Sequence, residues 1–300
     1  MRPLFEPRPV AQGQVTARFE LWLEPQEPYL DHHRPGGEPL LATVLGIEAL
    51  ASAARRVDPR LGAQATDIRL GEPCVLPGGR PRRVEIDVMR NPGAEHLQCC
   101  LWSRGPAGTR VEHFAACIQP ASSVESEHPG LPAALDALSA DAVAQAVTAR
   151  QVYAHFFHGP AFQVIRTAAW QGQRLHAEMA TDLPSWRVHV PCTTWLRPRL
   201  VEFALQAAGL LELVRSGEMR IPQAIGAIRP SISDAELLGA PFRAQAVAGP
   251  DGAMDIDVHG VDGARALVVR DYRTVSLPFA ADAASLARLR AALRTIQQEA

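Results

Sequence analysis

The sequence predicts an α+β fold built from two helix-and-sheet units. Three observations predict it. Two long apolar helical stretches lie in opposite halves of the chain. Each is flanked by short strand-like runs separated by turn residues, and a segment rich in Ser, Glu, Pro and Gly divides the two sets.

In chain order, residues 14–23 mix β-branched, aromatic and charged residues as a strand with one wet face does. Residues 42–56 are rich in Ala, Leu and Ile, interrupted only by Gly46, and read as the first long helix. Strands are predicted at 67–75, 83–89, 96–103 and 110–118, where Val84-Glu85-Ile86-Asp87-Val88 alternates with the period of two that a pleated strand requires. Residues 120–132 have linker composition. The same order then restarts, with a connecting helix at 140–156, a turn at His158-Gly159-Pro160 and strands at 163–171 and 174–181. A second long helix at 198–215 precedes strands at 221–228, 242–248, 254–259 and 266–275. The expected division is an N-terminal unit (1–122), a linker (123–139), a C-terminal unit (140–282) and a terminal helix or linker stub (283–300). The halves share architecture without residue-level identity.

Three hundred residues with 47% apolar content bury a substantial core. A formal charge of −2 with interspersed signs lacks the basic excess that a nucleic-acid surface needs, and the Arg80-Pro81-Arg82-Arg83 loop reads as a solvated turn. Five cysteines (Cys74, Cys99, Cys100, Cys117, Cys192) without paired spacing suggest neither a disulfide framework nor a metal cage, which fits a reducing cytoplasm. No secretory-type stretch opens the chain and no run of eighteen apolar residues occurs, so a soluble protein without a membrane span is expected. Neither a phosphate-cradling glycine loop nor a Gly-x-Ser-x-Gly elbow is present.

Chemistry concentrates in two places. His33 heads His33-Arg34-Pro35-Gly36-Gly37, and an imidazole accepts protons near neutral pH. Glu202 and Gln206 lie one helical turn apart among Leu200, Val201, Phe203, Ala204 and Leu205. Burial there is expected to hold the carboxyl protonated, as a proton donor must be, with the Gln206 amide orienting it. Brought together across an apolar tunnel, base and acid would strip a proton from one carbon and release a hydroxyl from the next. Each also has a plainer reading: His33 as a support for its glycine turn, Glu202 as a surface acid, Gly37 and Gly159 as tight turns. His32 is the nearest rival base. Trp22, Trp170, Trp186 and Trp195 read as core or tunnel lining, and His96, His113 and His259 as hydrogen-bonded strand histidines.

Three segments, in order, carry a family resemblance: Asp31-His32-His33-Arg34-Pro35-Gly36-Gly37 leading to Gly46-Ile47-Glu48, Phe157-His158-Gly159-Pro160-Ala161-Phe162, and Leu200-Val201-Glu202-Phe203-Ala204-Leu205-Gln206. They resemble the His-x-x-x-Gly, Tyr-Gly-Pro-x-Phe and Asp-x-x-x-Gln/His motifs of polyketide synthase dehydratase domains, closest in style to iterative polyketide and polyunsaturated fatty acid systems. The resemblance implies a double hotdog fold, two helix-wrapping sheets side by side. It implies loss of water from a β-hydroxyacyl thioester on an acyl carrier protein, with His33 as base, Glu202 as acid and Gln206 as its orienting partner. Gly37, His158, Gly159, Pro160 and Phe162 would contact the substrate, the glycine N–H groups taking the thioester oxygen, and no proton-transfer role falls to His158. No metal or cofactor is implied beyond the carrier's phosphopantetheine arm; partners would be other synthase components and a second copy in a homodimer. Ala42 stands where the family has Pro, Glu202 where it has Asp, and His158 where it has Tyr. The first two departures also fit relatives that shift double bonds or close rings, and a silent, carrier-binding domain is a third reading.

Overall fold

The computed structural model describes residues 2–10, 16–120, 146–171, 173–186, 192–231, 241–276 and position 287. The front half contains β1 (Arg2–Pro3), β2 (Arg8–Val10), β3 (Ala17–Leu23), α1 (Pro28–Asp31), α2 (Thr43–Val57), β4 (Leu61–Leu70), β5 (Arg82–Met89), β6 (Leu97–Arg104) and β7 (Arg110–Pro120). The rear half contains β8 (Val147–Thr148), α3 (Ala149–Tyr153), β9 (Ile165–Gln171), β10 (Arg174–Met179) and β11 (Cys192–Thr193). It continues with α4 (Pro198–Ser216), β12 (Arg220–Pro230), β13 (Phe242–Ala248), β14 (Met254–Gly260) and β15 (Arg265–Ser276).

The two sheets are fused. Strand order is β2-β3-β5-β6-β7-β4-β12-β15-β14-β13-β10-β9-β8, antiparallel throughout, while β1 and β11 form a small parallel pair. The seam between halves is β4–β12, where Ile68 faces Ile225 and Ala65 faces Ile228. Each half wraps its own long helix. Helix α2 buries Val44, Leu45, Ile47, Ala49, Leu50, Ala51, Ala53 and Ala54, and α4 buries Leu200, Val201, Phe203, Ala204, Ala207, Ala208, Leu210, Leu211, Leu213 and Val214. Helices apolar on every side belong inside a core, and small Ala and Gly residues let strands approach closely. The two helices also touch each other. This is the double hotdog that the resemblance implied.

A buried carboxylate ties the halves together. Glu48, in the middle of α2 and 0% exposed, accepts the backbone N–H groups of Trp195 and Leu196 at 2.8 and 2.9 Å. Those residues form the entry to α4, which Pro198 opens at a first-turn position where a missing N–H costs nothing. Arg55, two turns along α2, lays its guanidinium 3.8 Å over the Trp195 ring.

Several expectations need correction. Strand β4 begins at Leu61 rather than 67 and ends at Leu70 rather than 75. Its Gly- and Ala-containing start looks unlike a strand, but pairing to β7 on one side and β12 on the other overrides weak propensity. In place of a helix over 140–156 the described residues form β8 and the single helical turn α3, whose Thr148 and Gln151 make a reciprocal capping box. The linker segment and, but for position 287, the terminal helix lie outside the described residues. Trp22 is 49% exposed and lines nothing, whereas Trp170 and Trp186 are buried as expected. His113 bonds Ser103 Oγ and the Glu72 carbonyl, and His259 the Gly263 carbonyl, both strand histidines with structural partners. No described helix is long and apolar enough to cross a membrane.

Candidate active site

His33 follows α1, and its backbone is locked by hydrogen bonds from its own N–H to the Leu30 carbonyl and from the Leu40 N–H to its carbonyl. Its ring Nδ1 lies 2.8 Å from the Leu40 carbonyl. A carbonyl only accepts, so Nδ1 carries the proton and Nε2 keeps a lone pair. The ring is buried, with Phe157 and Phe162 each 5.1 Å away between centroids. Burial, reinforced by the nearby His158, lowers its pKa to about 4, so the imidazole is neutral at physiological pH. The neighbouring His32 is otherwise engaged: its Nδ1 accepts the Ala161 N–H at 3.0 Å and its carbonyl accepts the Gly159 N–H at 2.8 Å. Loop 158–162 is therefore pinned to the His32–His33 segment, and an isolated bridge pairs His33 with His158.

Glu202 enters from the first turns of α4 and is buried beside that loop. Its Oε1 receives the Gln206 amide N–H at 2.7 Å and lies 3.3 Å from His158 Nε2. The amide cannot flip. Its nitrogen also donates to the Phe162 carbonyl at 2.8 Å, while its oxygen accepts the Tyr153 hydroxyl at 2.8 Å, and that hydroxyl accepts the Ile165 N–H. Oε1 thus faces two nitrogens, the Gln206 amide and His158 Nε2, and Oε2 makes no hydrogen bond among the described residues.

The protonation expected of Glu202 is reversed. Burial pushes the carboxyl up, but the hydrogen bond and charge of His158, the nearby His33 and the Gln206 amide together bring it below the ordinary carboxylate value. Apolar neighbours along the helix suggested a neutral acid; His158 and His33 arrive from other segments, which helix periodicity does not show. His158, which the resemblance gives as a substrate contact, lies against Glu202. Tyr153 had no sequence signal at all, because its bond to Gln206 spans 53 positions.

The remaining predicted contacts fall out differently. Gly37 has φ +92, a left-handed conformation that favours glycine, and its N–H is donated to the Arg34 carbonyl. The Gly159 N–H goes to His32. Neither N–H is therefore available to a thioester oxygen, contrary to expectation. Pro160 is exposed and opens the short 3₁₀ turn Pro160–Phe162, while Phe162 is fully buried between the His33 ring and Trp186. Gly159 is needed for close approach: a Cβ there would lie 2.8 Å from His32 Cβ and 2.9 Å from its Cα. Gly159→Ala is expected to cost about 2 kcal/mol and to pull the loop from His32, read as a lowered denaturant midpoint with unchanged m-value. An unshifted midpoint would mean the loop is not held there.

Residues 3–104, which include His33, Gly37 and Glu48, match the family model described as the polyketide synthase dehydratase domain. No curated protein matches the chain. Among solved structures, the dehydratase domain of the CurF module of the curacin polyketide synthase is similar, with a TM-score of 0.72 at 18% identity over 91% of this chain and 98% of that one. A trans-AT polyketide synthase dehydratase domain from Brevibacillus brevis gives a TM-score of 0.68 at 16% identity, covering 91% and 99%. The CurK dehydratase of the curacin synthase, solved as an inactive variant with a histidine replaced by phenylalanine, gives 0.68 at 16% identity, covering 92% and 99%. Residues 3–104 are thus similar to the polyketide synthase dehydratase domain family, and the chain as a whole has the double hotdog fold of such domains.

Proposed function

We propose that this protein is a hydro-lyase that removes water from a β-hydroxyacyl thioester, carried on the phosphopantetheine arm of an acyl carrier protein, to give the α,β-enoyl thioester during polyketide assembly. One observation carries the reading: a neutral imidazole with a free Nε2 and a hydrogen-bonded carboxylate share one aromatic-lined corner, linked through His158, whose ring lies 5.7 Å from that of His33. His33 Nε2 removes the proton next to the thioester carbonyl, and the Glu202–His158 pair returns a proton to the departing hydroxyl. Gln206, fixed by Tyr153 and Phe162, sets the carboxyl's orientation. The chemistry calls for no cofactor besides the carrier's arm. The CurK histidine variant described as inactive concerns a relative, but it loses the same residue type as the proposed base, His33. Other synthase components, a second copy of the chain and a cytoplasmic setting belong to the same reading.

A double-bond shift is the second reading. It is favoured by the ionised Glu202, since moving a proton between carbons needs no acid for a leaving hydroxyl. Incubation with a β-hydroxyacyl carrier protein and with the corresponding enoyl form separates the two: water loss from the hydroxy form supports dehydration, and conversion of the enoyl form alone defeats it. The base also fixes a pH dependence. His33 must be neutral to act, so kcat/KM is expected to fall as pH drops through about 4 and to be insensitive to pH near 6.5 on its acid limb. An acid limb near 6.5 would mean that the ring is solvated when free of substrate.

A further inference from the structure

We propose that His158, rather than Glu202, is the general acid, with Glu202 serving as the carboxylate that orients it. The assignment rests on the dehydratase reading above. Three features of the site support it independently of titration. The His158 side chain is 9% exposed, its Nε2 faces Glu202 Oε1 at 3.3 Å, and its Nδ1 is a buried polar atom without a hydrogen-bond partner. Oε1 already accepts from Gln206, whose orientation is fixed by a carbonyl on one side and a hydroxyl on the other. The Nε2 proton must therefore be donated by the ring, which leaves Nδ1 as the ring position open to a substrate. A buried polar atom left bare costs free energy, and a ligand that bonds it recovers that cost.

The same arrangement, a carboxylate on one imidazole nitrogen and a reacting group on the other, is how histidine proton donors are generally held. Two departures from the family motifs become a single adaptation. Histidine replaces tyrosine at 158, and Glu202, about 1.5 Å longer than Asp, extends its carboxyl toward that ring. The ring is stacked on Phe157 at 4.3 Å and flanked by Phe156 and Phe162, so it cannot turn freely.

The step balances. The Cα–H bond breaks with its proton passing to His33 Nε2, its electron pair becomes the Cα=Cβ bond, and the Cβ–O bond breaks. His158 enters the step doubly protonated; the oxygen takes the Nδ1 proton and leaves as water, and the ring ends neutral with its Nε2 proton toward Glu202. Afterwards His33 loses a proton to solvent and His158 gains one. Titratable groups facing the pair are His33 from the loop before α2, Tyr153 at the end of α3 and Tyr272 on β15. Burial pushes both tyrosines up, so they stay neutral. A charged His158 disfavours charge on His33, which separates donor from acceptor.

The test crosses variants at the two positions in the full chain, with a β-hydroxyacyl carrier protein as substrate. His158→Phe and His158→Gln are both expected to lower kcat on the order of a hundredfold, although Gln can still donate to Glu202. Glu202→Gln is expected to lose no more than about tenfold in kcat. Near-normal His158→Gln beside an inactive Glu202→Gln would return the acid role to Glu202. A second readout needs no substrate: in nitrogen-15 NMR of the imidazole rings, the His158 Nε2–H resonance is expected to move in Glu202→Ala, which removes the oxygen that Nε2 faces at 3.3 Å. An identical resonance in both proteins would overturn the pairing. A wild-type protein that dehydrates nothing removes the dehydratase reading and the donor role with it, and the NMR result shows which of the two ideas has failed.

Discussion

His33→Phe is expected to reduce kcat on the order of a thousandfold, within the range lost when a positioned base is removed, while the protein still folds. The new ring would occupy a place already lined by Phe157 and Phe162, both 5.1 Å from the imidazole it replaces. What disappears is the Nδ1 bond to Leu40, worth about 1 kcal/mol, and the Nε2 lone pair. Steady-state dehydration measured beside a thermal melt distinguishes the two losses. A variant that melts near the wild type and turns over at the wild-type rate would remove His33 from the chemistry, and His32, its ring committed to Ala161, offers no replacement.

The largest effect on stability is expected at Glu48. Glu48→Ala leaves the N–H groups of Trp195 and Leu196 without their carboxylate inside the protein, and bonds to a charged group are worth about 1.5–3 kcal/mol each. A loss of about 3–5 kcal/mol follows, measured by urea unfolding. Glu48→Gln retains one acceptor and should fall between the two. Because the strap sets the entry to α4, both variants should also lose activity while folded, since Glu202 lies in the helix's first turns. Full stability in Glu48→Ala would show that Pro198 and the stacked Arg55–Trp195 pair hold the entry without it.

The sequence made the long helices legible because α2 and α4 are apolar over many consecutive residues, and β5 to β7 because alternation and turn residues bound them. It misplaced β4, whose start becomes a strand only through neighbours on both sides. It did not show that β4 and β12 fuse the sheets, since pairing partners far apart leave no local trace. In the site, the spacing of His33, Glu202 and Gln206 marked the residues that the fold gathers. Their states were not legible. The Glu202 charge depends on His158 and Gln206, the His33 tautomer on the Leu40 carbonyl, and the glycine N–H groups were already spent on Arg34 and His32.

The β4–β12 seam has a mechanical consequence. Proton acceptor and carboxylate are mounted on opposite sides of it, so their spacing is a property of how rigidly one lobe is keyed to the other. A slip of about 1 Å along that joint is enough to cost a hundredfold in rate, even if every side chain in the pocket were untouched. Substitutions at Ile68 or Ile225, which carry no reacting atom, therefore tune turnover by changing alignment tolerance.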